Sequence, residues 1–299
     1  MWFKNLSIYR LPAPWVMTAD KLAALLEPQR FKPIASNEVL TQGWEPPRGA
    51  GTPLVHALNG QLLLALRTES KVMPSAAVRA VVKLRADQLE EEQGFRPGKK
   101  AMKELTERAT DEMLPRAFSL PNVVHVWIDT RNGWLGIDTA GVSRAGDVVR
   151  LLLKAVDKLP LESLRVNQSP AAVMTGWLGM DEAPRNFTID QDATLRAAGE
   201  SKSQVGYKRH SLDGADVLNH IAAGKQCTRL AMTWNSRISF VLTEQLAIKS
   251  IKPLDVMKEG ASTAIGSDER FDSDFVLMTG ELAKMLADLV EALGGEAKA

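Results

Sequence analysis

The spacing of apolar residues changes texture several times along the chain. "WFKNLSIYRL" at residues 2–11 alternates imperfectly and predicts a first strand. "TADKLAALLE" then predicts a short helix, with Thr18 or Asp20 as its cap. In "TQGWEPPRGAGTP" (41–53) prolines and glycines crowd out regular structure, which predicts a loop. "LVHALNGQLLLALRTES" (54–70) predicts a hairpin turning at Asn59–Gly60, a dipeptide suited to a two-residue turn. From Pro74 the period becomes helical. "SAAVRAVVKLRADQLEEEQG" predicts a helix capped by Ser75 and broken at Gly94–Gly98. "KKAMKELTERATDEML" resumes it, with Met102, Leu105 and Ala109 near helical spacing. The two form a predicted helical hairpin with a wide polar face and a narrow apolar stripe.

The next ten residues, "MLPRAFSLPN", set Arg116 and Phe118 between two prolines. Pro115 removes a backbone donor and Pro121 fixes another φ, so the helix should end here on a stiff corner. Phe118 has two readings at this point, ordinary burial or an exposed contact. Beyond it, "VVHVWIDTRNGWLGIDTA" predicts a hairpin around Asn132–Gly133, and "SRAGDVVRLLLKAVDKL" an amphipathic helix from Ser143. Residues 186–212 are polar, Gly-punctuated and short-stranded, which predicts a small sub-domain of exposed hairpins. "TRLAMTWNSRISFVLTEQLAIKSIKP" returns to sheet, with a turn near Asn235–Ser236. At the C-terminus Leu282, Met285, Leu286, Leu289, Val290 and Leu293 fall on one helical face. Thr279 is placed to cap that helix, and Gly294–Gly295 to end it. Strands and helices mix without regular βαβ alternation, so the predicted class is α+β.

Composition narrows the function. With 299 residues and 45% hydrophobic content the chain can bury a substantial core. One cysteine, Cys227, excludes an internal disulfide framework and suits a reducing compartment. "MWFKNLSIYRLPAPWV" lacks the layout of a signal peptide, and no apolar run approaches membrane-span length, so a soluble cytoplasmic protein is expected. Net charge is +1, but it is unevenly spread. Residues 202–258 carry nine Lys/Arg against four Asp/Glu, whereas residues 259–299 carry three against nine. Such asymmetry can give one face a positive field, or reflect scattered solvated side chains.

The chemistry-bearing residues favour binding over catalysis. The four histidines lie far apart and no metal-ligand spacing appears. "AAGKQC" has Asn219 where a phosphate-binding loop needs its first glycine, and Gln226 where it needs Ser or Thr. Asp129 and Asp138 flank a hairpin and can serve its turn through backbone hydrogen bonds. Asp272 and Asp274, read as a strand, would share one face. They could then hold Mg²⁺ as in a metal-dependent nuclease, the alternative function. Cys227 reads as a small buried apolar residue. Cations recur at Arg79, Lys83, Arg96, Lys99 and Lys100 on the helical hairpin, at Arg116, at Lys208 and Arg209 beside His210, and at Lys225. Repeated cations suit a phosphate backbone bound without base readout. Glu90, Glu91 and Glu92 oppose this unless turned away.

Several long strings, in order along the whole chain, resemble the bacterial RdgC family of recombination-associated proteins: "WFKNLSIYRL", "LPRAFS", "WIDTRNG", "NHIAAGKQCTRLAMTW" and "LMTGELAKMLADLVEALGGEA". The resemblance implies a horseshoe subunit closing with a second copy into a ring around double-stranded DNA. Duplex would be bound without sequence preference and single strands less well. RecA would be restrained through occupation of its DNA, with no catalysis and no cofactor. It implies a nucleoid-associated cytoplasmic protein. One subunit contact, the gate, would use Phe118 with Leu114 beside it. The other would lie at a finger tip matching Lys208, Arg209 and His210. The implied organisation has a body of residues 1–73, 119–165 and 228–299, a helical hairpin and gate at 74–118, and a finger at 166–227.

Overall fold

The computed structural model describes residues 2–199, 202–257 and 266–297. The protein is mixed α+β, with seven α-helices and two antiparallel sheets among those residues. The chain divides into two compact units. One comprises Met1–Leu26, Val55–Leu64 and His125–Ala299, and the other Glu27–Leu54 and Ala65–Val124.

In the larger unit, β1 (Ser7–Arg10) lies between β6 (Trp134–Ile137) and β7 (Glu162–Ser163), and β5 (Ser119–Asp129) pairs with β6 through its second half. β3 (His56–Leu58) and β4 (Gln61–Lys71) form the hairpin expected at Asn59–Gly60. Both turn residues have positive φ, 53° and 79°, the geometry that favours an Asn-Gly pair. The hairpin around Asn132–Gly133 also forms, but its loop spans four residues, Thr130–Gly133, rather than two. Asp129 caps that loop by accepting from the amides of Arg131 and Asn132 at 2.9 and 3.0 Å.

A five-stranded sheet completes this unit. Its order is β12 (Ile248–Pro253), β11 (Ile238–Thr243), β10 (Lys225–Trp234), β8 (Phe187–Ala197), β9 (Gln204–Tyr207). The turn at Asn235–Ser236 forms as expected, both residues having positive φ. Residues 186–212 are not merely short hairpins, since β8 runs eleven residues and pairs along β10. One face of the sheet is apolar. Cys227, Leu230, Met232 and Trp234 of β10, with Phe240 and Leu242 of β11, pack against Phe275, Met278, Leu282, Met285, Leu286 and Leu289. Those partners lie on α7 (Ser267–Ala292). Complete burial of such side chains contributes roughly 1.5–3 kcal/mol each before entropic costs.

α7 starts twelve residues before the Thr279 cap expected from the sequence. Thr279 is only 1% exposed and its hydroxyl donates to the carbonyl of Phe275 at 2.8 Å, so it serves the helix interior. Phe271, Phe275 and Met278 continue the apolar stripe upstream at helical spacing. The C-terminal end is as expected. Gly295 N–H bonds the Val290 carbonyl and Gly294 N–H the Glu291 carbonyl, with both glycines at positive φ. α1 (Ala19–Leu26) is capped by Thr18, whose hydroxyl accepts from Lys21 N–H at 3.3 Å. α4 (Val142–Ala155) begins with Gly141 as its cap residue, and α5 (Pro170–Met180) and α6 (Ala215–Ala222) complete the unit's helices.

In the smaller unit, β2 (Leu40–Glu45) pairs antiparallel with β4 from Ala65 to Ser70. The first part of "TQGWEPPRGAGTP" is therefore strand and not loop. Gly43 is needed there for close approach, because a Cβ would sit 2.4 Å from the Cα of Phe31, and Trp44 beside it is fully buried. α2 (Ser75–Gln93) and α3 (Lys99–Met113) form the expected hairpin, closed by Val82, Ala86, Leu105 and Ala109. Gly94 ends α2 in the left-handed conformation. Ser75 does not cap α2. Pro74 occupies the cap position, with no side-chain cap bond.

Candidate nucleic-acid interface

The braced corner is built by three local devices. α3 ends at Met113 and runs into a 3₁₀ turn, Leu114–Arg116, with Pro115 in its first positions. Ala117 N–H closes that turn on the Leu114 carbonyl at 3.2 Å. The end of β4 then holds the next two residues. Lys71 Nζ donates to the Ala117 carbonyl at 3.1 Å, and Val72 N–H to the Phe118 carbonyl at 2.8 Å. Leu114 is buried at 5% exposure, anchoring the corner from within, whereas Phe118 is 85% exposed. Of the two readings left by the sequence, the structure excludes burial of Phe118 within its own chain. Pro121 lies inside β5 instead of marking the corner's far end.

Beside the corner lies a groove of about 530 Å³, walled by Val72, Pro74, Val81, Met113 and Arg116 and crossed by the Arg85–Glu112 ion pair. The Arg85 guanidinium holds the Glu112 carboxyl below its usual range, first through their hydrogen bond. Arg116 is exposed at the groove's rim.

The helical hairpin presents its cations outward: Arg79, Lys83, Arg96, Lys99 and Lys100 are all exposed. Arg96 approaches Glu90 at 3.5 Å, whereas Glu91 and Glu92 are exposed on the same hairpin and still oppose an anion there. Lys99 and Lys100 occupy the first turn of α3, which carries no acidic residue. Positive side chains at a helix N-terminus oppose the helix dipole by about 0.3–1 kcal/mol each, and their combined field favours an anion there.

Lys208, Arg209 and His210 are exposed where the chain leaves β9. Two bonds from the irregular stretch of β8 pin this corner. Asp192 accepts from Arg209 N–H at 2.8 Å, and the Gln191 carbonyl from His210 N–H at 3.1 Å. Arg209 has positive φ, 50°, and the Tyr207 ring centroid lies 5.6 Å from that of His210 and 6.5 Å from that of His220. Lys225, at the start of β10, is half-buried with its Nζ 3.2 Å from His220 Nδ1.

The carboxylate pairs do not assemble a metal centre. Asp272 and Asp274 lie on α7, not on a strand, and two residues along a helix project about 200° apart, as 3.6 residues per turn dictate. Asp272 instead meets His56 Nε2 at 3.1 Å, beside the rings of Phe271 and Phe275. Asp129 serves its turn, and Asp138 accepts from the amides of Lys4 and Asn5 at 3.0 and 2.9 Å. Among the described residues no three His, Cys, Asp or Glu side chains converge as a metal site. Cys227 is buried, and burial pushes its thiol up to about 12, the opposite of an activated nucleophile.

Local sequence pattern gives no sign of Arg196, Arg229 and Lys249, which line one hollow on the five-stranded sheet. They are separated by 33 and 20 positions, and only strand pairing unites them.

An α+β fold with exposed cations on a helical hairpin, and no convergent metal-ligand cluster among the described residues, defines a protein with charged binding surfaces and no metal centre in view. Residues 1–296 match the family model described as "Putative exonuclease, RdgC". The chain is 58% identical over 297 residues to the recombination-associated protein RdgC of Janthinobacterium sp. (strain Marseille), covering 99% of each. It is 58% identical to that of Herminiimonas arsenicoxydans over the same span, again covering 99% of each. With that of Cupriavidus necator it is 55% identical over 300 residues, covering all of both chains. The chain belongs to the RdgC family of recombination-associated proteins.

Proposed function

We propose that this protein binds double-stranded DNA without sequence preference, acts as a homodimer closed around the duplex, and restrains RecA-dependent recombination by occupying its DNA. Single strands bind less well, and no bond is made or broken. The protein works in the cytoplasm at the nucleoid. Among the described residues no helix is long and apolar enough to cross a membrane.

The observation that carries this reading is the pairing of two exposed features in one unit. Exposed cations stand on the hairpin, interspersed with about as many acidic residues, and at the first turn of α3, and an 85% exposed phenylalanine stands on a corner held by hydrogen bonds. The cations suit phosphate, which is recognised by charge with no base-reading geometry. Phe118 suits a partner's apolar surface, and two-fold symmetry would use the same patch twice. Lys208, Arg209 and His210 suit the second subunit contact, since a closed ring of two needs two.

The word "exonuclease" in the family description makes hydrolysis the competing reading. Asp272 and Asp274 project from different sides of α7, and Asp272 is engaged by His56, which argues against their sharing a metal. The test measures affinity for two unrelated duplexes from 50 to 200 mM salt, beside linear and plasmid DNA incubated with Mg²⁺ or Mn²⁺. Binding through six to ten phosphates loses about 10³ to 10⁵ in affinity across that range. Salt-independent binding, or degradation of the DNA, would refute the proposal.

A further inference from the structure

The five-stranded sheet has two unlike faces. One packs on α5 and α7. The other carries a hollow of about 310 Å³ lined by Arg196, Thr228, Arg229, Thr243, Glu244 and Lys249. Sequence alternation alone would not bring Thr228 and Arg229 to the same side, because adjacent residues on a regular strand point to opposite faces. The pairing of β10 with β8 slips here. Cys227 faces Leu195 and Arg229 faces Thr194, so Thr228 is one extra residue in β10. Such a bulge re-aims side chains, and both Thr228 and Arg229 reach the hollow.

The charges in the hollow are unbalanced. Arg196 Nη2 donates to both oxygens of Glu244, at 2.7 and 2.9 Å, which neutralises the one carboxylate of the lining. Arg229 is exposed and Lys249 half-exposed, and among the described residues neither makes an ion pair. Two uncompensated cations remain in a hollow with little apolar lining, where the Thr228 and Thr243 hydroxyls already donate to the carbonyls of Thr194 and Ala247. A protein partner's apolar anchor would find nothing to bury against there. An anion would find the two cations as its donors.

We infer that this hollow is a phosphate subsite that takes a phosphodiester of the bound duplex, with Arg229 and Lys249 as its contacts and Glu244 holding Arg196 in reserve. It rests on the duplex-binding reading above, and adds the bulged sheet of the larger unit to the residues that meet phosphate.

The test is the slope of log affinity against log salt for a 30-base-pair duplex. Each lost phosphate contact removes about 0.9 from that slope, so the double variant Arg229→Gln/Lys249→Gln lowers it by about 1.8 per chain at unchanged melting temperature. Glu244→Gln moves it the other way. It frees Arg196 for phosphate and steepens the slope by about 0.9. A steep wild-type slope that neither variant changes overturns the subsite and leaves duplex binding intact. A wild type with no affinity for duplex refutes the reading beneath it. ATP titrated alone supplies the remaining arm. If ATP binds the wild type and not the double variant, while the duplex slope stays fixed, the hollow serves a free nucleotide and the inference fails.

Discussion

Phe118→Ser separates a clasp between subunits from a packing residue most directly. With 85% of its surface already exposed, Phe118 contributes little to its own chain. A core phenylalanine truncated to alanine costs about 3–5 kcal/mol, and the buried seventh of that is roughly 0.5 kcal/mol. For a chain of this size that corresponds to a melting shift of about 2 °C or less. An aromatic anchor seated in a partner's pocket behaves differently, since its removal costs about 2–4 kcal/mol, or roughly a 30- to 700-fold weaker contact. The two assays are thermal melting and the dissociation rate from circular duplex DNA, with sedimentation reporting subunit association. The expected outcome is an almost unmoved melt and much faster loss from circular DNA. A melting drop beyond about 6 °C would show that Phe118 is structural. Unchanged melting, unchanged mass and unchanged retention together would remove its role as a clasp.

Other substitutions test the remaining steps. Replacing Arg79, Lys83, Lys99 and Lys100 with Gln should lower the salt slope by up to about 3.6 per chain, measured by fluorescence anisotropy, with melting unchanged. Gly133→Ala should destabilise by more than about 2 kcal/mol in urea unfolding, because φ is +72° and a Cβ would lie 2.3 Å from the Leu11 carbonyl oxygen. Thr18→Ala should cost about 1 kcal/mol through loss of the α1 cap. Burial depresses the pKa of His125, so the unfolded chain takes up a proton near pH 6.5 before the folded chain does. Stability is therefore full above about pH 6.5 and falls on acidification towards the lower folded value. In urea unfolding from pH 7.5 to 5.5, His125→Gln should flatten that fall.

How much of the fold is legible in the sequence depends on the range of the interaction concerned. Asn59–Gly60, Asn235–Ser236 and Gly294–Gly295 are legible because positive φ is a property of a few adjacent residues. The helical hairpin is legible because its period and its Gly94 break are local. A cap at Thr279 and a strand face at Asp272–Asp274 fail for one shared reason: Phe271, Phe275 and Met278 already continue the stripe of α7. A threonine can close a helix or back-bond inside one, and only the β-sheet packed against α7 selects the second. β2 is hidden similarly. Its glycine reads as a breaker, and only the backbone of Phe31 pressed against it shows why a strand needs it there.

Composition and local pattern by themselves determined an α+β chain, its main turns, a cation-bearing helical hairpin, and the lack of a recognisable catalytic motif. Tertiary structure decided exposure and juxtaposition. It turned Phe118 outward on a braced corner while burying Leu114 four residues earlier, and it drew Asp272 to His56. It gathered Arg196, Arg229 and Lys249 from three strands into one hollow. The reason is physical. Backbone preference acts over a few residues, whereas burial and charge pairing depend on which distant segments share a sheet, and one extra residue in a strand is enough to redirect a side chain.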